Sequence, residues 1–190
     1  YHGVNFAGFS VGGMVKNRES FGLGLPGITH MRHTHLPDQN RFSRGQPEHG
    51  AELADDLQRQ IDLHGGDTIA ACIVEPVAGS TGCLPPPKGY LERLRAICDK
   101  HGILLIFDEI VTGFRLRLGG AQEYFGVVPD LAVFAKGMSN GVPLSCYLGR
   151  REIMDRVEDV SISSTYGGDA LGLAAAAAVL QTYDAEDVIG

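Results

Sequence analysis

Two residues of opposite charge, Asp108 and Lys136, each stand just after a short apolar run, at 103–107 and 131–135. Runs this short and this apolar are typical of strands buried on both faces of a parallel sheet. In open α/β sheets, ligands bind just beyond the carboxyl ends of the strands. The sequence therefore predicts that a carboxylate and an amine lie at the edge of the sheet where such folds carry their chemistry.

A structural ion pair is the first explanation for these two charges. Buried ion pairs add little net stability, however, because taking both charges out of water is costly. Each charged residue is also followed by a glycine-containing turn, in the segments 108–114 (DEIVTGF) and 136–143 (KGMSNGVP). Such turns would open both side chains to a pocket, which favours a chemical role.

An amine and a carboxylate at neighbouring strand ends suit catalysis with pyridoxal 5′-phosphate. The aldehyde of this cofactor forms a Schiff base with an amine, which among side chains only lysine supplies. Its pyridine nitrogen withdraws electrons when it is protonated, and a carboxylate alongside favours the protonated form. We therefore predict Lys136 as the partner of the aldehyde and Asp108 as the partner of the ring nitrogen.

The elements that must position this pair follow from hydrophobic periodicity and from the Gly and Pro residues between them. Their order predicts an α/β fold with a mostly parallel sheet and flanking helices. No linker divides the chain, so we expect one domain. The predicted elements are loops with one short helix over 1–46, a helix over 47–64 with Leu53, Leu57, Ile61 and Leu63 on one face, a strand over 68–74, a helix over 88–100, strands over 103–107, 131–134 and 144–148, a short helix over 151–157 and an Ala-rich helix over 169–183.

Composition excludes several classes of protein. Apolar residues make up 44% and charged residues 21%, as in globular domains and unlike disordered chains. The net charge of −7 argues against a nucleic-acid or anionic-membrane partner. No apolar run approaches the roughly 20 residues of a membrane helix. The four cysteines lack C-x-x-C spacing, which indicates reduced, structural thiols and predicts a cytoplasmic protein.

Two other motifs are rejected. The segment 22–27 matches the dinucleotide pattern G-x-G-x-x-G, but no strand precedes it and Pro26 stands where the helix would open. His33 and His35 lack a further ligand at workable spacing, so we expect no metal site.

Several motifs, in order along the chain, resemble the class III aminotransferases, which are pyridoxal-phosphate enzymes of fold type I. These motifs are Tyr1-His2-Gly3, Glu75-Pro76, the segment 108–114 and the segment from Lys136 to Pro143. Within that family, segments 1–6, 42–57 and 84–90 are most similar to β-alanine (omega-amino acid):pyruvate aminotransferases, and segment 114–154 is nearer to glutamate-1-semialdehyde aminomutases. The resemblance covers essentially all 190 residues.

The resemblance implies a role for each matching residue. Lys136 would hold the cofactor as a Schiff base and then carry the proton between the substrate Cα and the cofactor C4′. Asp108 would pair with the pyridinium nitrogen. Tyr1 would stack on one face of the ring, and Val111 would pack against the other.

His2, Glu75 and Thr165 would also support the cofactor. Glu75 would hydrogen-bond near Asp108 or His2. Thr165 would reach across a homodimer interface to the phosphate of the partner's cofactor, so that the subunits share their active sites. A competing explanation for Thr165 is that it caps the helix that follows Asp169.

The resemblance also implies that residues 1–190 are an incomplete cofactor-binding large domain, without the cis phosphate loop and without the small C-terminal domain. The implied function is transfer of an amino group from an omega-amino acid or amine to an oxo acid such as pyruvate. Ser80 stands where ornithine, acetylornithine and GABA enzymes carry a Glu, which argues against those substrates. The alternatives are an intramolecular amino transfer, as in the aminomutase, and a fragment without catalysis of its own.

Overall fold

The computed structural model describes residues 1–189, which form two compact units. The first unit, residues 1–103, contains α1 (Phe6–Val11), α2 (Val15–Phe21), α3 (Pro37–Asn40), α4 (Asp55–His64), β1 (Ala71–Val74) and α5 (Tyr90–His101). The second unit, from residue 104 onward, contains β2 (Leu104–Asp108), α6 (Gly120–Phe125), β3 (Leu131–Phe134), β4 (Cys146–Gly149), α7 (Arg151–Met154) and α8 (Ala170–Ala185). Within residues 1–189, every helix is too short or too polar to span a bilayer.

The first unit is organised around the packing of α4 and α5. Leu57 and Ile61 of α4 are buried, as are Leu91 and Leu94 of α5. The prediction that Leu63 shares the helix face of Leu57 and Ile61 is wrong, because Leu63 is 68% exposed. It lies two residues beyond Ile61, and two residues turn the helix by about 200°, which points the side chain away from the core.

The second unit is built on a sheet whose strands differ in direction. β2 and β3 run parallel with Asp108 opposite Val133, and β4 runs antiparallel to β3 with Cys146 opposite Phe134. The sheet is mostly parallel, as predicted, with β4 as its antiparallel strand. Residues 135–145 join β3 to β4, and within this connection Asn140 has φ +46° and Gly141 has φ +112°.

The core of the second unit lies under β3. Ala132, Phe134 and Met138 are buried there, and Phe114 and Ala176 pack against them. Ala176 belongs to α8, whose small side chains allow a close approach to this cluster. The Asp169 side chain caps α8 by accepting a hydrogen bond from the Gly172 amide at 2.8 Å.

Element boundaries differ from the predicted ones mainly where elements begin; the strand predicted over 68–74, for example, begins at Ala71. The predicted helix over 47–64 begins as a 3-10 turn at Ala51–Ala54, and the segment before it holds three short helices instead of one. The helix predicted over 151–157 divides into α7 and a 3-10 turn, Asp155–Asp159. Within residues 1–189, none of the four cysteines forms a disulfide; Cys72 and Cys98 are buried, whereas Cys83 is exposed.

Candidate active site

The register of β2 and β3 brings the two predicted catalytic residues to the same edge of the sheet. Asp108 is the last residue of β2 and lies opposite Val133 of β3. The Glu109 amide continues the pairing by donating to the Val133 carbonyl at 2.9 Å. Lys136 follows β3 after Ala135, so both charged residues stand at the carboxyl ends of adjacent parallel strands.

Asp108 is a buried carboxylate at the end of its strand. Its residue is 6% exposed, and Oδ1 accepts a hydrogen bond from the Ile110 amide at 3.1 Å. This bond fixes the side chain against the start of the turn that follows β2. A buried carboxylate stays charged only where hydrogen bonds or a cation stabilise it, so the site suits a group that carries a proton or a positive charge.

Lys136 is exposed and has an unusual backbone conformation. Its φ is +46°, in the left-handed region that side chains rarely adopt, and its carbonyl accepts a hydrogen bond from the Asn140 amide at 2.9 Å. Strain of this kind persists only where surrounding contacts impose it, and it is common at functional sites. Within residues 1–189, Lys136 Nζ forms no ion pair, with Asp108 or with any other acid, so the structure does not contain the ion pair considered first.

The turn after β2 is held by Glu109, a residue that had no predicted role in the site. Glu109 is fully buried, and its carboxylate accepts hydrogen bonds from Thr112 Oγ1 at 2.6 Å, from the Ala121 amide at 2.6 Å and from the Gln122 amide at 2.9 Å. A Cβ on Gly120 would lie 2.9 Å from Glu109 Oε1, so only glycine leaves room for the carboxylate. The available sequence signals were a second acid beside Asp108 and a Gly-Gly pair at the start of α6.

Val111 and Arg115 lie in the same turn. Val111 is half-buried, and its carbonyl accepts a hydrogen bond from Arg115 Nη1 at 2.7 Å. A Cβ on Gly137, next to Lys136, would lie 3.1 Å from the Gly113 carbonyl and 3.4 Å from Arg115 Nη1. The turn after β2 therefore packs directly on the segment that carries Lys136.

Thr165 is exposed in the turn that precedes α8. The competing explanation, that it caps α8, is wrong, because Asp169 is the residue whose side chain bonds the first turn of that helix.

The remaining predicted residues lie in the first unit. The backbone nitrogen of Tyr1 contacts Glu75 Oε1, and Glu75 Oε2 accepts a hydrogen bond from the Gly79 amide at 2.9 Å. Tyr1 and His2 are both half-buried. The structure therefore brings Tyr1 and Glu75 together, with Glu75 at the carboxyl end of β1.

A family model described as aminotransferase class-III matches the chain over residues 1–190. The chain belongs to the class-III aminotransferases. This membership confirms the resemblance drawn from the ordered motifs. Enzymes of this family depend on pyridoxal 5′-phosphate, and the sheet edge fits that cofactor, because adjacent parallel strands end there in one buried carboxylate and one exposed lysine.

Similar class-III enzymes include both predicted subfamilies. The chain is 53% identical over 197 aligned residues to an omega-aminotransferase of Caulobacter vibrioides, covering 99% of this chain and 45% of that protein. It is 51% identical to a β-alanine–pyruvate aminotransferase of Pseudomonas aeruginosa (82% and 35% covered) and 49% identical to a glutamate-1-semialdehyde 2,1-aminomutase of Nitratidesulfovibrio vulgaris (67% and 31% covered). The chain thus spans less than half the length of these relatives.

Solved transaminase structures share the fold. An omega transaminase from Pseudomonas jessenii in complex with PMP superposes with a TM-score of 0.89 at 30% identity, covering 100% of this chain and 44% of that one. A transaminase obtained by ancestral reconstruction gives a TM-score of 0.87 at 33% identity, covering 98% and 43%. The predicted α/β fold class is confirmed.

Proposed function

We propose that the protein acts as a pyridoxal-phosphate-dependent transaminase that moves an amino group from an omega-amino acid or amine to an oxo acid such as pyruvate. The observation that carries the proposal is the juxtaposition of Asp108 and Lys136 at the carboxyl ends of β2 and β3. The names of the relatives that match at about 50% identity support the substrate class. We assign residues 1–190 to the cofactor-binding large domain of such an enzyme.

Each side chain of the pair has a distinct task. When bound, the cofactor would supply an aldehyde that accepts and returns an amino group and a ring that withdraws electrons. Lys136 would hold the cofactor through Nζ. Once the amino donor has displaced this nitrogen, Nζ would take a proton from the donor carbon and deliver it to C4′ of the cofactor. Asp108 would keep the proton on the ring nitrogen, because its buried carboxylate favours the cationic form of a neighbouring base.

The other predicted residues would bind and orient the cofactor. Tyr1 would cover one face of the ring and Val111 the other, and both would exclude water from the reacting atoms. Glu75 and His2 would support the carboxylate side of the site. Thr165, which is exposed in the turn before α8, would contact the phosphate of the cofactor bound to the partner subunit. This arrangement requires a homodimer with shared active sites, which we place in the cytoplasm.

The decisive experiment traps the cofactor on its lysine. The protein is loaded with pyridoxal 5′-phosphate, reduced with borohydride, digested and analysed by mass spectrometry. We expect the phosphopyridoxyl label on Lys136, and we expect Lys136→Ala to lose both the label and the formation of alanine from β-alanine and pyruvate. Lys100→Ala is the matched control, because Lys100 is also exposed but stands at the end of α5. A label on another lysine would refute the assignment.

An intramolecular transfer is the second candidate, favoured by the 49% identity to an aminomutase. It predicts turnover of a substrate that carries both an amino group and a carbonyl group without any added acceptor. A strict requirement for pyruvate or another oxo acid would exclude it. Labelling of Lys136 without either reaction would instead support the third interpretation, a chain that binds the cofactor but does not complete catalysis.

A further inference from the structure

Glu109 is a buried acid that makes contacts with the turn after β2, with the start of α6 and with β3. Its side chain has no exposed surface, and three donors surround its carboxylate: the Thr112 hydroxyl and the amides of Ala121 and Gln122. An ionised carboxylate is costly to bury, and hydrogen bonds to its charged form offset that cost. Three such bonds make Glu109 a fixed point to which the surrounding loop is attached.

The backbone of Glu109 joins the two strand ends. Its amide donates to the Val133 carbonyl at 2.9 Å, which extends the β2–β3 ladder one residue past Asp108. Its carbonyl accepts from the Gly113 amide at 2.8 Å, which closes the turn. The carboxylate accepts hydrogen bonds from Thr112 in the same turn and from the first residues of α6. These bonds, with the backbone bond to Gly113, hold the turn in place.

The turn 109–113 also packs against the segment that carries Lys136. The Gly113 carbonyl and Arg115 Nη1 lie so close to Gly137 that an added Cβ would meet them at 3.1 and 3.4 Å. Lys136, next to Gly137, has the left-handed φ of +46°. A shift of the turn would therefore change the packing that holds this strained backbone in place.

We propose that Glu109 is a positioning residue that sets the separation of Asp108 and Lys136 by fixing the turn 109–113. The inference rests on the proposed function, since it concerns the same pair of side chains. Errors of about 1 Å in the placement of reacting groups can lower rates by roughly 100-fold, so loss of the Glu109 carboxylate should lower kcat.

The test compares Glu109→Gln with Glu123→Gln in the cofactor-loaded protein. Glu123 is the matched control, because it lies in α6 next to the residues that Glu109 binds and its carboxylate accepts a hydrogen bond from the Gly119 amide at 2.8 Å, but its side chain is exposed. For Glu109→Gln we expect a fall in kcat of about 10- to 100-fold with little change in KM. We also expect the pH midpoint of the cofactor's absorbance to shift.

Thr112 gives a second pair of variants that retains the Glu109 carboxylate. Thr112→Val removes one donor, whereas Thr112→Ser keeps the hydroxyl and should restore the wild-type values. In the cofactor-free protein, amide hydrogen exchange over 110–113 should be faster in Thr112→Val and Glu109→Gln than in the wild type and Glu123→Gln. If Glu109→Gln does not fold, the Thr112 pair decides the question by the same measurements.

The outcomes separate this inference from the proposed function. The positioning role alone would be overturned if the wild type is labelled at Lys136 but the variants keep its kcat and absorbance midpoint. In that case Glu109→Gln or Thr112→Val would lower only the melting temperature. A wild type that takes up no cofactor at Lys136 would overturn both. Unchanged amide exchange over 110–113 in both variants would also overturn the positioning role.

Discussion

Gly113 is the position in the turn after β2 where one added methyl group should be most costly. A Cβ there would overlap Cδ1 of Phe134 and would lie 2.7 Å from Cε1 of that ring and 2.9 Å from the Glu109 carbonyl. Phe134 has little freedom to move, because it is buried and packs edge to face on Phe114 with the ring centroids 5.9 Å apart. Gly113→Ala therefore tests whether the turn is pressed against β3 as tightly as the structure indicates.

The expected cost follows from two opposing effects. Overpacking a well-packed core typically costs 1–3 kcal/mol, and contacts about 1 Å inside the optimal separation of carbon atoms belong at the upper end, about 3 kcal/mol. Gly113 does not have a positive φ, so alanine adds no backbone strain, and its smaller unfolded-state entropy returns about 0.4–1 kcal/mol. The net loss is about 2 kcal/mol of unfolding free energy, or roughly 4–8 °C in Tm.

The assay is urea unfolding followed by circular dichroism. Gly168→Ala is the control, because Gly168 is exposed, has open space around it and lacks a positive φ; its effect should stay within about 0.5 kcal/mol. In the double variant with Phe134→Leu, the smaller side chain should relieve the overlap and give a favourable coupling of at least about 0.5 kcal/mol. A cost equal to that of Gly168→Ala, or no coupling with Phe134→Leu, would refute the reasoning.

Two further predictions concern single side chains. Burial alone would raise the pKa of Asp56, but the hydrogen bond from Arg59, the Arg32 amide and both guanidinium charges together lower it. The folded pKa therefore lies below the unfolded one, so the contribution of Asp56 to stability is present above about pH 4 and is lost as the pH falls through the folded pKa. Asp56→Asn should destabilise the protein at pH 7 but not at pH 2 in urea titrations, and an equal difference at both pH values would contradict this. Asp169→Ala should cost about 1 kcal/mol by removing the cap of α8, whereas Thr165→Ala should leave stability within about 0.5 kcal/mol; thermal melts that rank the two in the opposite order would count against the assignment of the cap.

The sequence by itself located most of the regular elements and the charged residues at their ends. Strands β2 and β3 and the helices α5 and α8 lie within one or two residues of the predicted ranges. This succeeds because burial imposes a local periodicity on each element, and apolar runs that end in Gly, Pro or charge are readable without knowledge of the partners. The ordered motifs around Asp108 and Lys136 also determined the family.

Only the tertiary structure decided how these elements join. The register that places Asp108 opposite Val133 depends on hydrogen bonds between residues far apart in the chain, and so does the reversal of β4. The left-handed backbone of Lys136 is imposed by its neighbours, since its own side chain disfavours that conformation. Glu109 shows the same limit: its type and position are visible in the sequence, but the donors that give it a role come from a turn and a helix that only folding brings to it.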